Sequence, residues 1–186
     1  THPMLRLVQG DVGSGKTLVA AQAALDTIAA GYQVAFMAPT ELLAEQHYAN
    51  LEAWFTPLDL PVAWLSGRTK GKVRQAVLHQ LASGEAGLVV GTHALGQEDG
   101  QFNRLGLIIV DEEHDLSYKQ KDGFRYSARD IAVKRAQMAK IPVVLGSATP
   151  SLETLANAHS GRYQHLRLAE RAAGARLPRI VVIDRS

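Results

Sequence analysis

The chain has 186 residues, 46% of them hydrophobic and 20% charged, which suits one well-packed domain and is short for two. It contains no cysteine, which excludes disulfides and thiolate metal sites, and no apolar run approaches the ~20 residues of a membrane span. A formal net charge of +2 is too small to argue for a nucleic-acid partner, so that question rests on where the cations sit.

In chain order, Leu5-Arg6-Leu7-Val8 reads as a strand running into a glycine-rich turn. Residues 18–30 are almost continuously Ala, Leu and Ile, which predicts a helix buried on nearly all sides and closed by Gly31. Val34-Ala35-Phe36-Met37 reads as a second strand. Thr40 is placed to cap a helix that carries Leu51, Trp54 and Phe55 at i, i+3 and i+4. Val62 to Leu65 reads as a short strand, followed by a helix with Val73, Ala76, Val77 and Leu81 on one face. Residues 88–90, 107–110 and 142–145 are apolar without interruption, as strands of a parallel sheet tend to be. Ala128, Ile131, Ala132, Met138 and Ala139 mark the helix before the last of these, and Thr149 and Pro150 suit the N-cap and first position of another. Residues 163–168 and 180–183 look strand-like, with Gly174 and Pro178 in a linker between them. Strands alternating with helices predict a three-layer α/β/α domain with a mainly parallel central sheet.

Two stretches carry the chemistry. Gly10, Asp11, Val12, Gly13, Ser14, Gly15, Lys16 and Thr17 fit G-x-x-x-x-G-K-[ST] between a strand and a helix. Backbone N–H groups of such a loop cradle nucleotide phosphates, Lys16 reaches the β- and γ-phosphates, and the Thr17 hydroxyl serves Mg²⁺. Asp111-Glu112-Glu113-His114 follows the apolar run 107–110. Asp111 is expected to hold Mg²⁺, partly through water, and Glu112 to orient and deprotonate an attacking water. Glu113 has no assigned role and is expected to be exposed. His114 is expected to link this site to Ser147 and Thr149, whose hydroxyls follow a buried strand; Thr149 also fits simple helix capping. ATP and Mg²⁺ are therefore the expected cofactors. The other six histidines show no ligand spacing, so no zinc is expected.

Residues 118–129 hold four cations and three aromatics, including Tyr118, Lys119, Lys121, Arg125 and Tyr126. Such a mixture suits a single strand, with charges for phosphates and rings for bases; a loop packing its rings on the domain fits as well. Arg68, Lys70, Lys72 and Arg74 form a second basic cluster, explained equally by a solvated helix start.

Residues 10–17, Ala38-Pro39-Thr40, Ser66-Gly67, Gly91-Thr92-His93, residues 111–114 and Ser147-Ala148-Thr149 resemble motifs I, Ia, Ib, Ic, II and III of superfamily-two DNA helicases. The ordered set covers essentially the whole chain. Residues 3–17, 37–46 and 64–74 resemble the RecG family of fork-reversal helicases. From about Leu105 onward the chain resembles the PriA family of replication-restart helicases, as a chimeric sequence would. RecG members typically carry Gln where Glu113 stands. The resemblance implies a P-loop NTPase of RecA-like fold over residues 1–186 that couples ATP hydrolysis to movement on branched DNA in replication restart or fork repair. It implies DNA contacts at Thr40, Arg68, Thr92 and His93, a location in the bacterial cytoplasm at the nucleoid, and no membrane partner. It also implies a second RecA-like domain, needed for full activity and not found in this sequence. Two other functions remain open. One is a nucleotide- or DNA-binding module without turnover. The other is a small-molecule P-loop kinase, which conflicts with the Asp-Glu-Glu-His and Ser-Ala-Thr pair.

Overall fold

A computed structural model describes residues 4–93, 95, 102–118 and 127–169. In chain order it contains β1 (Leu5–Gly10), α1 (Lys16–Ala29), β2 (Gln33–Met37), α2 (Glu41–Phe55), β3 (Val62–Leu65), α3 (Gly71–Ser83) and β4 (Leu88–Gly91). There follow β5 (Leu105–Val110), α4 (Ala128–Ala139), β6 (Val143–Ser147), α5 (Leu152–His159) and β7 (Gln164–Leu168). The strands form one sheet in the order β3-β4-β2-β5-β6-β1-β7, and every neighbouring pair is parallel. All seven strands therefore end at one edge, where open α/β sheets bind their ligands.

Alternation along each strand sends side chains to two cores. Ala35 and Met37 of β2 join Leu7, Ile108, Val110, Val143 and Leu145 on one face, under Leu81 of α3 and Ala128, Ala132 and Ala136 of α4. Val34 and Phe36 join Val8, Val90, Ile109 and Val144 on the other, under α1 and α2. The result is the α/β/α layering read from the sequence. Thr40 accepts the Leu43 amide at 3.3 Å and so caps α2. Leu51 and Phe55 of that helix are fully buried, each contributing about 1.5–3 kcal/mol relative to an exposed position. Trp54 is outward-facing.

Several helix faces differ from expectation. Only Ala20, Ala21 and Ala24 of α1 are buried, while Leu18 is 62% exposed. A face of three alanines seats α1 close to the sheet, with Leu25 and Ile28 packed partly against the core and Leu18 and Val19 turned outward. In α3, Val73 and Ala76 are exposed; Leu81 is buried, with Val77 and Leu78 packed partly against the core. Met138 and Ala139 lie outside the i, i+4, i+8 alanine stripe of α4 and are exposed. The cap of α5 is Ser151, which accepts the Thr154 amide at 3.3 Å, rather than Thr149. Thr149 instead donates its amide to Ser147 Oγ at 3.1 Å, which keeps it one turn upstream of the helix. Residues 163–168 do carry a strand, β7; residues 180–183 lie outside the described residues.

Candidate active site

The loop between β1 and α1 turns on Gly13 (φ 82°) and Gly15 (φ 90°), in a left-handed conformation that glycine adopts without steric cost. The Ser14 amide closes the turn on Asp11 O at 3.0 Å. Gly10 must lack a side chain, because a Cβ there would stand 2.3 Å from Ser14 Oγ. Gly15 occupies the N-cap of α1 and no side chain caps the helix, so its first-turn N–H groups have no side-chain acceptor. Such a helix start suits an anion, both through the free donors and through the helix dipole. Lys16 Nζ donates to Gly10 O at 2.7 Å and Asp11 O at 3.3 Å, and lies 3.7 Å from Glu112 Oε1. Thr17 follows in the same first turn and is half-buried.

β5 delivers Asp111 to Lys16's side of the sheet edge. The Asp111 amide donates to Met37 O at 2.8 Å, and Asp111 O accepts the Tyr118 hydroxyl at 2.8 Å. The same hydroxyl lies 3.1 Å from Met37 O, so Tyr118 spans the ends of two adjacent strands. Asp111 Oδ2 lies 2.7 Å from His47 Nε2 of α2. Glu112 has φ 44°, a region that non-glycine residues seldom occupy and that costs about 1–3 kcal/mol where it is enforced. Its two carboxylate oxygens are shared between Lys16 and His114 Nδ1, the latter at 3.6 Å. His114 Nδ1 also lies 2.8 Å from Ser147 Oγ, and Nε2 lies 3.2 Å from Thr149 Oγ1.

Glu113 is not exposed as expected but is 1% accessible. A buried carboxylate requires dense compensation, and Glu113 accepts from Arg129 Nη1 (2.9 Å), Ser151 N (2.7 Å), Ser151 Oγ (3.1 Å) and Thr154 Oγ1 (2.8 Å). Burial alone would lower the Arg129 pKa, but Asp130 and Glu113 outweigh it and hold the guanidinium above its usual value. Arg129 is thus committed to the domain interior rather than free for a strand.

Tyr118 follows the second of the two readings of residues 118–129, a ring packed on the domain. It is 2% accessible, so its ring has no face for base stacking. Burial, together with Asp111, Asp115, Glu112 and Glu113, pushes its phenol pKa well above the ordinary value.

Among the residues expected along DNA, Thr40 and Arg68 come together: Arg68 Nε pairs with Glu41 Oε2 at 2.7 Å, one residue beyond the Thr40 cap. His93 is exposed, whereas Thr92 is 2% accessible and its hydroxyl has no partner among the described residues, so this residue presents no side chain to a strand. Lys119, Lys121, Arg125 and Tyr126 lie outside the described residues.

Among the described residues no group of three or more His, Cys, Asp or Glu is arranged to hold a metal. One carboxylate, Asp111, and one hydroxyl, Thr17, are the donor set that suits Mg²⁺ held jointly with phosphate oxygens and water, since this ion rarely takes an all-protein cage. Sequence reasoning missed His47, Ser151 and Thr154. Only the Ser-x-x-Thr spacing hinted at a capping role.

Comparison with known proteins agrees with this geometry. The family model described as DEAD/DEAH box helicase matches residues 4–158. The chain is 60% identical over 119 residues to the ATP-dependent DNA helicase RecG of Escherichia coli (strain K12), covering 64% of this chain and 17% of that protein. It is 48% identical over 155 residues to the RecG of Synechocystis sp. (strain ATCC 27184 / PCC 6803 / Kazusa), covering 83% of this chain and 17% of that protein. The chain thus spans about a sixth of the length of these relatives. Among solved structures, RecG bound to a three-way DNA junction superposes with a TM-score of 0.70 at 38% identity, over 94% of this chain and 22% of that one. A DEAD box protein from the hyperthermophile Methanococcus jannaschii shares the fold, with a TM-score of 0.64 at 22% identity over 90% of this chain and 46% of that one.

Proposed function

The chain belongs to the DEAD/DEAH box helicase family, and we propose that it is the first RecA-like, ATP-binding domain of an ATP-dependent DNA helicase. One observation carries this reading: Glu112 Oε1 stands 3.7 Å from Lys16 Nζ, so a base and a phosphate-binding cation from distant motifs meet at one sheet edge. Residues 10–17 hold the triphosphate, with Lys16 against its terminal phosphates. Thr17 and Asp111 would hold Mg²⁺, which would supply countercharge for the transferred phosphate. Glu112 takes the proton of the attacking water as the new bond to the γ-phosphorus forms and the bridge to ADP breaks. His114 reports the state of that site to Ser147 and Thr149.

DNA is the proposed partner, branched or single-stranded, in replication restart or fork repair in the cytoplasm of a bacterium, at the nucleoid. The printed names of the relatives and the three-way junction bound by the RecG neighbour support this. Among the described residues no helix is long and apolar enough to cross a membrane. Thr40, Arg68 and His93, together with Lys119, Lys121, Arg125 and Tyr126, are the residues proposed to line the strand. The likeness of the later part of the chain to PriA, and hence a chimeric origin, also belongs to this proposal. It is supported by the residues from about Leu105 onward, Asp111-Glu112-Glu113-His114 and Ser147-Ala148-Thr149 among them, that resemble that family.

Full activity requires a second RecA-like domain carrying an arginine finger, a group worth roughly 10³–10⁵ in rate. The 186-residue chain alone is expected to bind nucleotide, turn over very slowly, respond little to single-stranded DNA, and unwind nothing. Adding the second domain, fused or in trans, restores DNA-dependent hydrolysis. Steady-state phosphate release with and without single-stranded DNA tests both statements. Robust DNA-stimulated turnover or strand separation by the chain alone would overturn the requirement for a second domain. Phosphate appearing only on a small-molecule acceptor would overturn the helicase reading itself.

A further inference from the structure

Asp111 is fixed in two separable ways. Its backbone is held by the Met37 carbonyl and by the Tyr118 hydroxyl, each at 2.8 Å. Neither contact sets the rotation of the carboxylate about its own bond. That rotation is set by His47, whose Nε2 lies 2.7 Å from Oδ2. A carboxylate only accepts, so Nε2 carries the proton in this contact. Nδ1 is buried and has no hydrogen-bond partner among the described residues. The imidazole thus leaves one nitrogen unsatisfied while the other holds Asp111, an arrangement that packing alone does not call for. The ring is kept in place by Phe36 of β2, with ring centroids 4.8 Å apart.

The second oxygen is the one left to work. No hydrogen bond among the described residues uses Oδ1, which lies over Gly146: a Cβ built there would stand 3.2 Å from it. His47 therefore occupies one carboxylate oxygen and aims the other, and the missing side chain at position 146 keeps the space beside it open.

We propose that His47 is a positioning residue for Mg²⁺, fixing the Asp111 carboxylate so that Oδ1 faces the ion. This rests on the nucleotide-site reading above. Histidine–carboxylate contacts behind a metal ligand commonly change metal affinity 10–100-fold when removed. The effect here should lie in the metal and not in the phosphate cradle, because His47 is on α2 and touches neither the loop 10–17 nor Lys16 in the contacts described.

The test titrates a fluorescent ATP analogue onto the 186-residue chain in EDTA and across a series of Mg²⁺ concentrations. His47→Ala should raise the Mg²⁺ concentration for half-maximal enhancement of nucleotide binding at least about 10-fold. Its affinity for the metal-free nucleotide should be unchanged. His47→Gln, whose amide nitrogen reproduces the Nε2 donor, should restore the Mg²⁺ dependence. His47→Asn, which keeps an amide but stops short of Oδ2, should not, and it substitutes for the alanine variant if that one fails to fold. Unchanged Mg²⁺ dependence in His47→Asn or His47→Ala, with nucleotide still bound, would overturn the positioning role and leave the nucleotide site standing. Equal weakening with and without Mg²⁺ would also overturn it, since that marks a general structural effect. A wild-type chain that binds no nucleotide under any condition would overturn the site and this role together.

Discussion

The main-chain amide of Ser151 donates to Glu113 Oε1 over 2.7 Å, fastening the N-cap of α5 to the residue that follows the proposed base. Four residues earlier, Ser147 is fastened to His114. The segment carrying Ser147 and Thr149 is therefore pinned at both ends to consecutive residues of the strand-end turn, 113 and 114.

Glu113→Ala removes the acceptor of Arg129, Ser151 and Thr154 at once and leaves a largely buried guanidinium with Asp130 as its carboxylate partner and the Ser151 hydroxyl at 3.0 Å. Breaking a buried pair in this way costs about 3–5 kcal/mol. Urea denaturation of the purified chain should show that loss, and Glu113→Gln, which keeps an acceptor oxygen and the side-chain volume, should lose less. A loss under about 1 kcal/mol would mean that the network contributes little.

Lys16→Ala should abolish Mg-ATP binding and leave the melting temperature nearly unchanged. The ammonium contacts two loop carbonyls and Glu112 and none of the core. Fluorescent-nucleotide titration beside a thermal melt measures both quantities; undiminished affinity removes Lys16 from the site.

Glu112→Gln keeps shape and hydrogen bonding but loses the base, so the two-domain enzyme should bind ATP and fail to hydrolyse it. Glu112→Gly is the companion variant. Glycine adopts φ 44° at lower cost than glutamate, by up to about 1 kcal/mol, which offsets the lost contacts to Lys16 and His114, so that chain should be about as stable as wild type and equally inactive. Full ATPase activity in either variant rules out Glu112 as the base.

Tyr118→Phe keeps the ring and removes the hydroxyl that bridges Met37 O and Asp111 O. The expected loss is about 1–3 kcal/mol, for Asp111 O deprived of its donor, while Met37 O keeps the Asp111 amide. Denaturant melts of the two chains compare it directly. Equal stability would show that the bridge is replaced without cost.

Asp115 accepts the Ser117 amide at 2.8 Å, and that bond is the main reason its carboxyl titrates below the usual 3.8. A carboxyl depressed in the folded state stabilises it above pH 3.8, and the contribution is lost as pH falls through the lower, folded-state value. Carboxyl NMR should place the Asp115 midpoint beneath 3.8, and Asp115→Asn should flatten the acid limb of the stability curve in that window. A midpoint at or above 3.8 would contradict the hydrogen bond.

Much of this was legible in the linear sequence, for reasons visible in particular residues. Strands such as β2 and β4 read clearly because both faces are covered, so their apolar runs have no polar interruption. The phosphate loop was legible because its chemistry is local: eight consecutive residues make the turn, the cradle and the lysine. What escaped was non-local. Glu113 looks like a solvated acid until Arg129, Ser151 and Thr154, lying 16 to 41 residues away, close around it. His47 stands 64 residues from Asp111, and nothing in its own neighbourhood announces the contact. Apolar composition misled where side-chain size decided: alanines seat α1 and α4, while Leu18 and Met138 face outward.

Strand β7 leaves the sheet at Leu168 level with Gly10, the first residue of the phosphate loop, and the two strands run parallel for five residue pairs. Tension along the axis of β7 would therefore load it in shear against the very strand that presents the phosphate loop. A parallel ladder loaded that way must break its cross-strand hydrogen bonds together rather than one by one. A displacement of β7 along its own axis would therefore reach the proposed nucleotide site through β1 alone, its one partner in the sheet order.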